Sequence, residues 1–512
     1  MATSANCGIV YLVGAGPGHP GLMTLRGLEC LQQAELVIHD KLVSPRLLDY
    51  APASATRICV TDLAECHVER HRPVQKAMIN AARQGKTVVR LKGGDPLLFG
   101  RGGEEAQALA EAGVPFEIVP GVTAALGAGA CAAIPLTHRA HASAVAFITG
   151  HEKPDKPESA IDWEALARFQ GTLVIYMGIS RLGQIVEALI RHGKPADTPA
   201  AVVHCATTGE QSTVEAPLRE LPDAVLKAGL AAPAMIIIGS VVELRRELSW
   251  FERRPLFGKR VLVTRPRHQA RDLVHRLEGL GASAYVLPAV EIHEPSDWSA
   301  VDAAIGRLAS FHWLVFTSAN GVHAFIGRLK KLGNDLRALG TLRLAAIGPK
   351  TAEALRHYHL KPDLVPERYQ SEDLAGLLAA TIVPGQHVLL ARADRGRELL
   401  RDELSRLAHV EQIAVYCQAD AIDVTSPVLA NLRRGEIDFV TLTSSNIARA
   451  FVAALDDVAR LRLHAGDTRL VTISSVTSEE VRKLGVPVAA EASEATAEGI
   501  VDALVHLASA RP

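Results

Sequence analysis

Short apolar runs alternate with amphipathic stretches along the first half of the chain. Ile9–Val13 is apolar and ends in Gly14-Ala-Gly-Pro-Gly-His-Pro-Gly21; a helical stretch over Leu22–Gln33 and a strand over Glu35–His39 follow. Thr87–Leu91, Phe116–Val119, Ala144–Thr149, Thr172–Tyr176, Ala200–Val203 and Ala234–Ile238 read as further strands. Strands interleaved with helical periods predict an α/β architecture. The charged, proline-containing stretch His151–Glu158 predicts a subdomain connection. At Trp250-Phe-Glu-Arg-Arg-Pro255-Leu-Phe-Gly258 the pattern breaks, and a strand starts afresh at Arg260–Thr264, which places the main boundary there.

Past that boundary the chain repeats itself. Gly258-Lys-Arg-Val-Leu-Val-Thr-Arg265 matches Gly385-Gln-His-Val-Leu-Leu-Ala-Arg392, an offset of 385 − 258 = 127. Phe311–Asn320 matches Ile437–Asn446, and Leu342–Thr351 matches Thr468–Thr477, both at 126. Three ordered matches at nearly one spacing predict two similar α/β lobes with a ligand cleft between them.

Composition narrows the class. A chain of 512 residues suggests two to four domains. Its 55 basic and 56 acidic residues, net −1, lack the basic excess of a nucleic-acid binder. Met1–Cys7 has no basic segment followed by an apolar core, so no secretory signal is expected. Seven scattered cysteines (7, 30, 59, 66, 131, 205 and 417), without any CxxC pair, read as reduced thiols in a cytoplasmic protein. Ile118–Thr137 carries no charge and is long enough to span a bilayer, but its prolines, glycines and alanines predict a buried, tightly packed helix. Cys59, Cys66, His67 and His71 lie close together at a spacing that fits no standard zinc pattern, so no metal is expected.

Two glycine motifs carry candidate chemistry. Gly16-Pro-Gly18-His-Pro-Gly21 after a strand, with Asp40 ending the next one, has the nominal features of a nicotinamide dinucleotide fingerprint. Pro17 and Pro20 each remove an N–H that would cradle a pyrophosphate, which favours a closed turn. In Val88-Val-Arg-Leu-Lys-Gly93-Gly-Asp95-Pro-Leu-Leu-Phe-Gly-Arg101-Gly-Gly-Glu104-Glu105 the paired glycines admit a ligand to the backbone. There Asp95 can accept from an amine or ribose hydroxyl, and Arg101 offers a planar fork for carboxylates.

Residues 8–250 resemble the uroporphyrinogen-III C-methyltransferases nearly end to end. The resemblance is carried by Val13–Gly18, Asp40-Lys-Leu-Val-Ser44, Val89–Glu105, Pro120–Ala124, Ile134–Arg139, Thr149-Gly-His151 and Tyr176-Met-Gly178. It implies a two-domain class III methyltransferase fold, with subdomains of about 1–137 and 138–250, that binds S-adenosylmethionine between them. Pro17, Gly93, Gly94, Asp95, Leu98, Thr123, Ala124, Met177 and Ala206 would line that site. Asp40 matches the family's proton acceptor; Arg101 and Glu104 match residues of substrate binding and proton handling. The chain departs from the family at Asp62, which stands where a lysine proposed as proton donor is usual. It departs again at His71–Gln75 and at Ala206, which replaces a glycine.

Residues 258–508 resemble uroporphyrinogen-III synthase through the duplicated Thr317-Ser-Ala-Asn320 and Thr443-Ser-Ser-Asn446, Val263–Pro266, Ala346–Thr351, Val415-Tyr416 and Ser474–Thr477. The resemblance implies a two-lobed fold, lobe one being 258–292 plus 418–512 and lobe two 293–417, with 251–257 as linker. It also implies cyclisation of hydroxymethylbilane, with Tyr416 assisting hydroxyl departure. Ser, Thr and Asn at those strand-to-helix junctions equally serve as helix caps. The combined expectation is a bifunctional enzyme giving precorrin-2, acting on small tetrapyrroles without nucleic acid or membrane. The resemblance also brings the family's common homodimer through the methyltransferase half. The competing reading is an NAD-dependent oxidoreductase joined to a non-catalytic ligand-binding half.

Overall fold

A computed structural model describes residues 7–63, 71–151, 161–396 and 398–510. Cys66, His67 and most of the expected connection His151–Glu158 lie outside the described residues. The chain divides into two compact units, 1–259 with 278–283, and 260–277 with 284–512.

The first unit holds two five-stranded sheets. β1 (Val10–Gly14), β2 (Leu36–His39), β3 (Thr56–Cys59), β4 (Val88–Lys92) and β5 (Phe116–Val119) form a parallel sheet in the order β3-β2-β4-β1-β5. Its residues alternate between two covered faces. Val10, Leu12 and Val88 pack with Met78 and Leu109 on one side, while Val13, Val89 and Leu91 pack with Leu31 and Leu47 on the other. Each such fully buried aliphatic side chain contributes about 1.5–3 kcal/mol. Because β2 and β4 are neighbours whose onward connections, to β3 and to β5, leave in opposite directions, a crevice opens at their carboxyl ends, beside the turn after β1.

The second sheet is mixed, in the order β6-β7-β10-β8-β9, built from β6 (Val145–Thr149), β7 (Thr172–Tyr176), β8 (Pro199–His204), β9 (Ser212–Pro217) and β10 (Ala234–Ile238). The helix Ala124–Cys131 packs Ala125 and Ala128 against Val174, Tyr176, Val203 and Ile237 of this sheet. The charge-free stretch 118–137 is thus a strand end, a turn and a short buried helix. Among the described residues no helix is long and apolar enough to cross a membrane. β3 and β9 had no expectation attached; both are edge strands with half-exposed or exposed residues, so their apolar pattern is weak. The stretch 251–257 is packed rather than loose. Phe251 and Leu256 are buried, and Glu252 accepts from Gln211, Thr213 and Arg245 at 3.0, 2.8 and 2.6 Å.

The second unit holds two sheets of one plan. β11 (Arg260–Val263), β12 (Ser283–Val286), β13 (Val290–His293), β14 (Trp313–Phe316), β15 (Arg343–Ala346), β16 (His387–Ala393), β17 (His409–Asp420), β18 (Phe439–Leu442), β19 (Arg469–Thr472) and β20 (Ala490–Glu491) follow in chain order. The sheets run β12-β11-β18-β19-β20 and β13-β17-β16-β14-β15. The sequence repeat equates β11 with β16, β14 with β18 and β15 with β19. Each sheet therefore takes its leading strands from one copy of the repeat and its later strands from the other. Phe316, Phe325 and Leu389 centre one core, and Leu262, Val440 and Phe451 the other.

Candidate active sites

In the first unit two glycine turns meet at the crevice. Gly14 at the end of β1 lies abreast of Lys92 at the end of β4. Beyond them Gly16 N–H donates to the Gly94 carbonyl at 3.3 Å, and Gly94 N–H to the Gly16 carbonyl at 2.8 Å. Both residues are left-handed, with φ of 77° and 68°, which suits glycine. A Cβ on Gly14 or Gly121 would stand 2.7 or 2.2 Å from the Gly94 carbonyl oxygen, so the backbones touch directly. Asp95 ties the turns together, Oδ1 accepting from Leu97 N–H at 2.9 Å and Oδ2 from Gly121 N–H at 3.1 Å. Above Gly93 there is open space, since an added Cβ would meet nothing within 4 Å.

The Gly16–Gly21 turn is not a pyrophosphate cradle. Gly16 N–H is used by Gly94, His19 N–H by Thr207 Oγ1 at 3.0 Å, and Gly21 N–H by His19 Nδ1 at 3.0 Å. The next α-helix starts only at Leu25, capped by the Thr24 hydroxyl. A dinucleotide fingerprint needs free N–H groups at the helix start, and here they are spent within the turn and on the loops beside it.

Several of the expected cofactor-side residues are tied to those turns or to the facing sheet. Pro17 packs on Gly127, where an added Cβ would come within 2.6 Å of its ring. Thr123 is buried, its hydroxyl 2.6 Å from the Tyr176 hydroxyl, which also accepts from Ala125 N–H at 3.3 Å. Burial raises the Tyr176 phenol, so it stays protonated. Leu98, Ala124 and Ala206 sit half-buried against the Ala125–Val203 core, and Met177 is about half exposed. Among the described residues seven non-glycine positions have positive φ. Five of them, Phe99, Arg101, Met177, Cys205 and Thr207, lie in the loops after β4, β7 and β8. Such conformations cost about 1–3 kcal/mol each and persist where the surroundings enforce them.

Asp40 reaches the same turn, its Oδ2 accepting from Gly93 N–H at 3.3 Å. Its Oδ1 accepts from Arg90 Nη2 at 2.5 Å. Arg90 is buried and also donates to Glu105 Oε1 at 3.1 Å, and Lys92 Nζ lies 3.0 Å from Glu105 Oε2. Sequence reasoning passed over Arg90, Lys92 and Glu105. The signal was there: two cations in an apolar strand, which burial obliges to find partners. Arg101 pairs with Glu104 at 3.0 Å on the exposed first turn of the helix Gly102–Glu111. Asp62 is exposed, and its Oδ2 accepts from Cys59 N–H at 3.3 Å, closing the turn after β3. The Cys59 sulfur is 3.1 Å from the Thr61 hydroxyl.

In the second unit the crevices fall between β11 and β18, and between β14 and β16, where chain connections diverge. Ser318 and Ser444 cap the helices that leave β14 and β18, accepting from Gly321 N–H at 3.0 Å and Ile447 N–H at 3.3 Å. Asn320 accepts from Gln269 Nε2 of the other lobe at 2.9 Å, and Asn446, after β18, donates at 2.6 Å to Gln418 Oε1 on β17 of the other sheet. Tyr416 is buried on β17, its hydroxyl 3.0 Å from Ser318 Oγ, and burial raises its pKa. A cavity of about 250 Å³ lies beside Asn446, lined by Arg395, Gly396, Asp420, Arg449 and two alanines.

Two family models match the chain, Tetrapyrrole (Corrin/Porphyrin) Methylases over residues 9–222 and Uroporphyrinogen-III synthase HemD over residues 271–502. The porphyrin biosynthesis protein HemD of Ruminiclostridium josui is 33% identical over 501 residues, covering 98% of each chain. The chain belongs to this family. It is an enzyme of tetrapyrrole biosynthesis with a methyltransferase domain followed by a uroporphyrinogen-III synthase domain, in the class III methyltransferase and two-lobed synthase folds. The siroheme synthase of Chromobacterium violaceum is 49% identical over 246 residues, and the chain spans about half of its length (52%) and 48% of its own. A crystal structure of uroporphyrin-III C-methyltransferase from Thermus thermophilus complexed with S-adenyl homocysteine covers 46% of this chain and 100% of its own, at 39% identity and a TM-score of 0.40.

Proposed function

We propose that the synthase half cyclises hydroxymethylbilane to uroporphyrinogen III, and that the methyltransferase half methylates this product twice with S-adenosylmethionine, giving precorrin-2. The observation that carries the reading is the pairing of the two domains in one chain, since the product of one reaction is the substrate of the other.

S-Adenosylmethionine supplies a methyl group on a sulfonium, open to in-line attack by an electron-rich pyrrole carbon. The residues fit such a donor: the space over Gly93 admits it to the backbone, and left-handed Met177 and Thr207 shape the facing loops. Pro17, Gly94, Asp95, Leu98, Thr123, Ala124 and Ala206 complete the proposed binding set. Most of the acceleration comes from holding donor and pyrrole in line. Asp40, half-buried and anchored to Gly93 N–H, takes the proton that the methylated pyrrole must lose. Arg101 and Glu104, exposed at the rim, meet substrate carboxylates and protons.

In the synthase half the substrate loses water at its hydroxymethyl carbon and closes on itself with inversion of the last ring. The raised pKa of Tyr416 keeps its phenol protonated, able to donate to the departing hydroxyl. Hydroxyls and amides at the crevice ends hold a folded, polycarboxylate chain without a basic excess.

Hydroxymethylbilane supplied with and without S-adenosylmethionine, followed by mass analysis, tests both halves. The expected result is cyclic product in each case and two added methyl groups only with the donor. Unaltered linear substrate, or cyclic product that gains no methyl group with the donor present, refutes the corresponding half of the proposal.

A further inference from the structure

Four charges alternate in sign beneath the Gly93–Asp95 turn. Asp40 meets Arg90, Arg90 meets Glu105, and Glu105 meets Lys92, at 2.5, 3.1 and 3.0 Å. Arg90, Glu105 and Lys92 are almost sealed from solvent, at 4%, 1% and 2% exposure, whereas the Asp40 side chain is 31% exposed. The chain of charges therefore has one outlet, and it is Asp40.

Burying ions is expensive. Well-packed apolar residues of similar volume usually stabilise a core as well or better, so stability alone is a weak reason for this arrangement. Arg90 also donates to the carbonyls of Ile38 at 3.4 Å and Leu91 at 3.3 Å, locking the guanidinium to β2 and β4 at once. Glu105 sits on the helix Gly102–Glu111 and holds both cations from the opposite side. Burial draws the Arg90 pKa down, but Asp40 and Glu105 more than offset this. Burial and the nearby Arg90 lower Lys92.

We infer that Arg90 and Glu105 are positioning residues for methyl transfer, fixing the Asp40 carboxylate toward the substrate side of the Gly93 turn. This rests on the reading of the first half as a methyltransferase in which Asp40 accepts the pyrrole proton. Arg90 grips one carboxylate oxygen and Gly93 N–H the other, so the carboxylate plane is set; Glu105 sets Arg90, and Lys92 balances Glu105.

The test is a double-mutant cycle on the full chain. It reads single-turnover methylation of uroporphyrinogen III at saturating S-adenosylmethionine, with donor affinity measured by calorimetry. Asp40→Asn is expected to slow transfer about 100-fold. Glu105→Gln, which keeps the shape and removes the charge, is expected to slow it about tenfold through misplacement of the acceptor, with donor affinity unchanged. The deciding result is the double variant, expected to be no slower than Asp40→Asn alone, because Glu105 acts only through Asp40. Additive losses, or a wild-type rate in Glu105→Gln, overturn the inference. If Glu105→Gln no longer binds the donor, Arg90→Lys takes its place in the cycle with the same two outcomes. A wild-type chain that binds the donor but transfers no methyl group overturns the functional reading, and this inference with it.

Discussion

The two halves build their crevices from different materials. Beneath the methyltransferase crevice lie four paired charges, three of them buried, and six of the seven described non-glycine residues with positive φ belong to that unit. At the synthase crevices hydroxyls and amides meet one another, Ser318 with Tyr416, Asn320 with Gln269, Asn446 with Gln418. The charges beside them, Arg392, Arg395 and Arg449, form no such buried alternating row. The contrast follows the proposed chemistry. Methyl transfer aligns three atoms and moves a proton, so it rewards a rigid, charged floor. Cyclisation of a flexible substrate rewards a surface that holds a shape, which neutral donors supply at lower desolvation cost.

The largest expected effect attacks the rigid floor. Gly121→Ala places a Cβ 2.2 Å from the Gly94 carbonyl, and should cost about 3 kcal/mol together with donor binding. Thermal unfolding and calorimetry check this, and cyclisation of hydroxymethylbilane by the same sample should be retained. Next comes Asp40→Asn, with methylation about 100-fold slower and cyclisation unchanged; a parallel loss in both assays would erase the contrast. Glu252→Gln should remove about 2 kcal/mol at neutral pH, by weakening charge-assisted bonds from Arg245, Gln211 and Thr213.

Glu252 also predicts a pH dependence. Burial would raise its pKa, but the bonds from Gln211, Arg245 and Thr213 bring it below the ordinary value. The folded state then binds that proton less readily than the unfolded one. Its stabilisation is full above the unfolded carboxylate pKa of about 4.3 and is lost as pH falls through the lower folded value. Urea unfolding between about pH 6 and 3 should show a flatter acid slope in Glu252→Gln than in wild type.

Smaller effects sharpen the synthase side. Tyr416→Phe should slow cyclisation about tenfold, equivalent to about 1.4 kcal/mol, and leave methylation of supplied uroporphyrinogen III unchanged. Asn320→Ala should cost about 1 kcal/mol by deleting one bond across the lobes. Hydrogen exchange should then rise in the helices that carry Gln269 and Ala319–Lys331.

Much of the geometry of the two glycine turns was legible because their devices are local. Gly93, Gly94 and Asp95 form one turn, and the prolines of the Gly16–Gly21 loop announced a closed structure. Thr207 in the left-handed region was not legible, since nothing in its neighbours demands that conformation without Gly18 packed on it. Nor was the docking of 251–257, where Phe251 and Leu256 bury only because the first unit offers them a surface.

By itself the sequence determined the strand cores, the fresh strand at Arg260 and the repeat of 126–127 residues, because apolar periodicity and backbone-driven turns act over a few positions. The expected lobes already mixed the two copies; tertiary structure alone decided which strands pair, β13 with β17 among them, and that Asp40, Arg90 and Glu105 meet. Strand order brings together groups 50 and 15 residues apart, and burial of the cations makes the meeting obligatory.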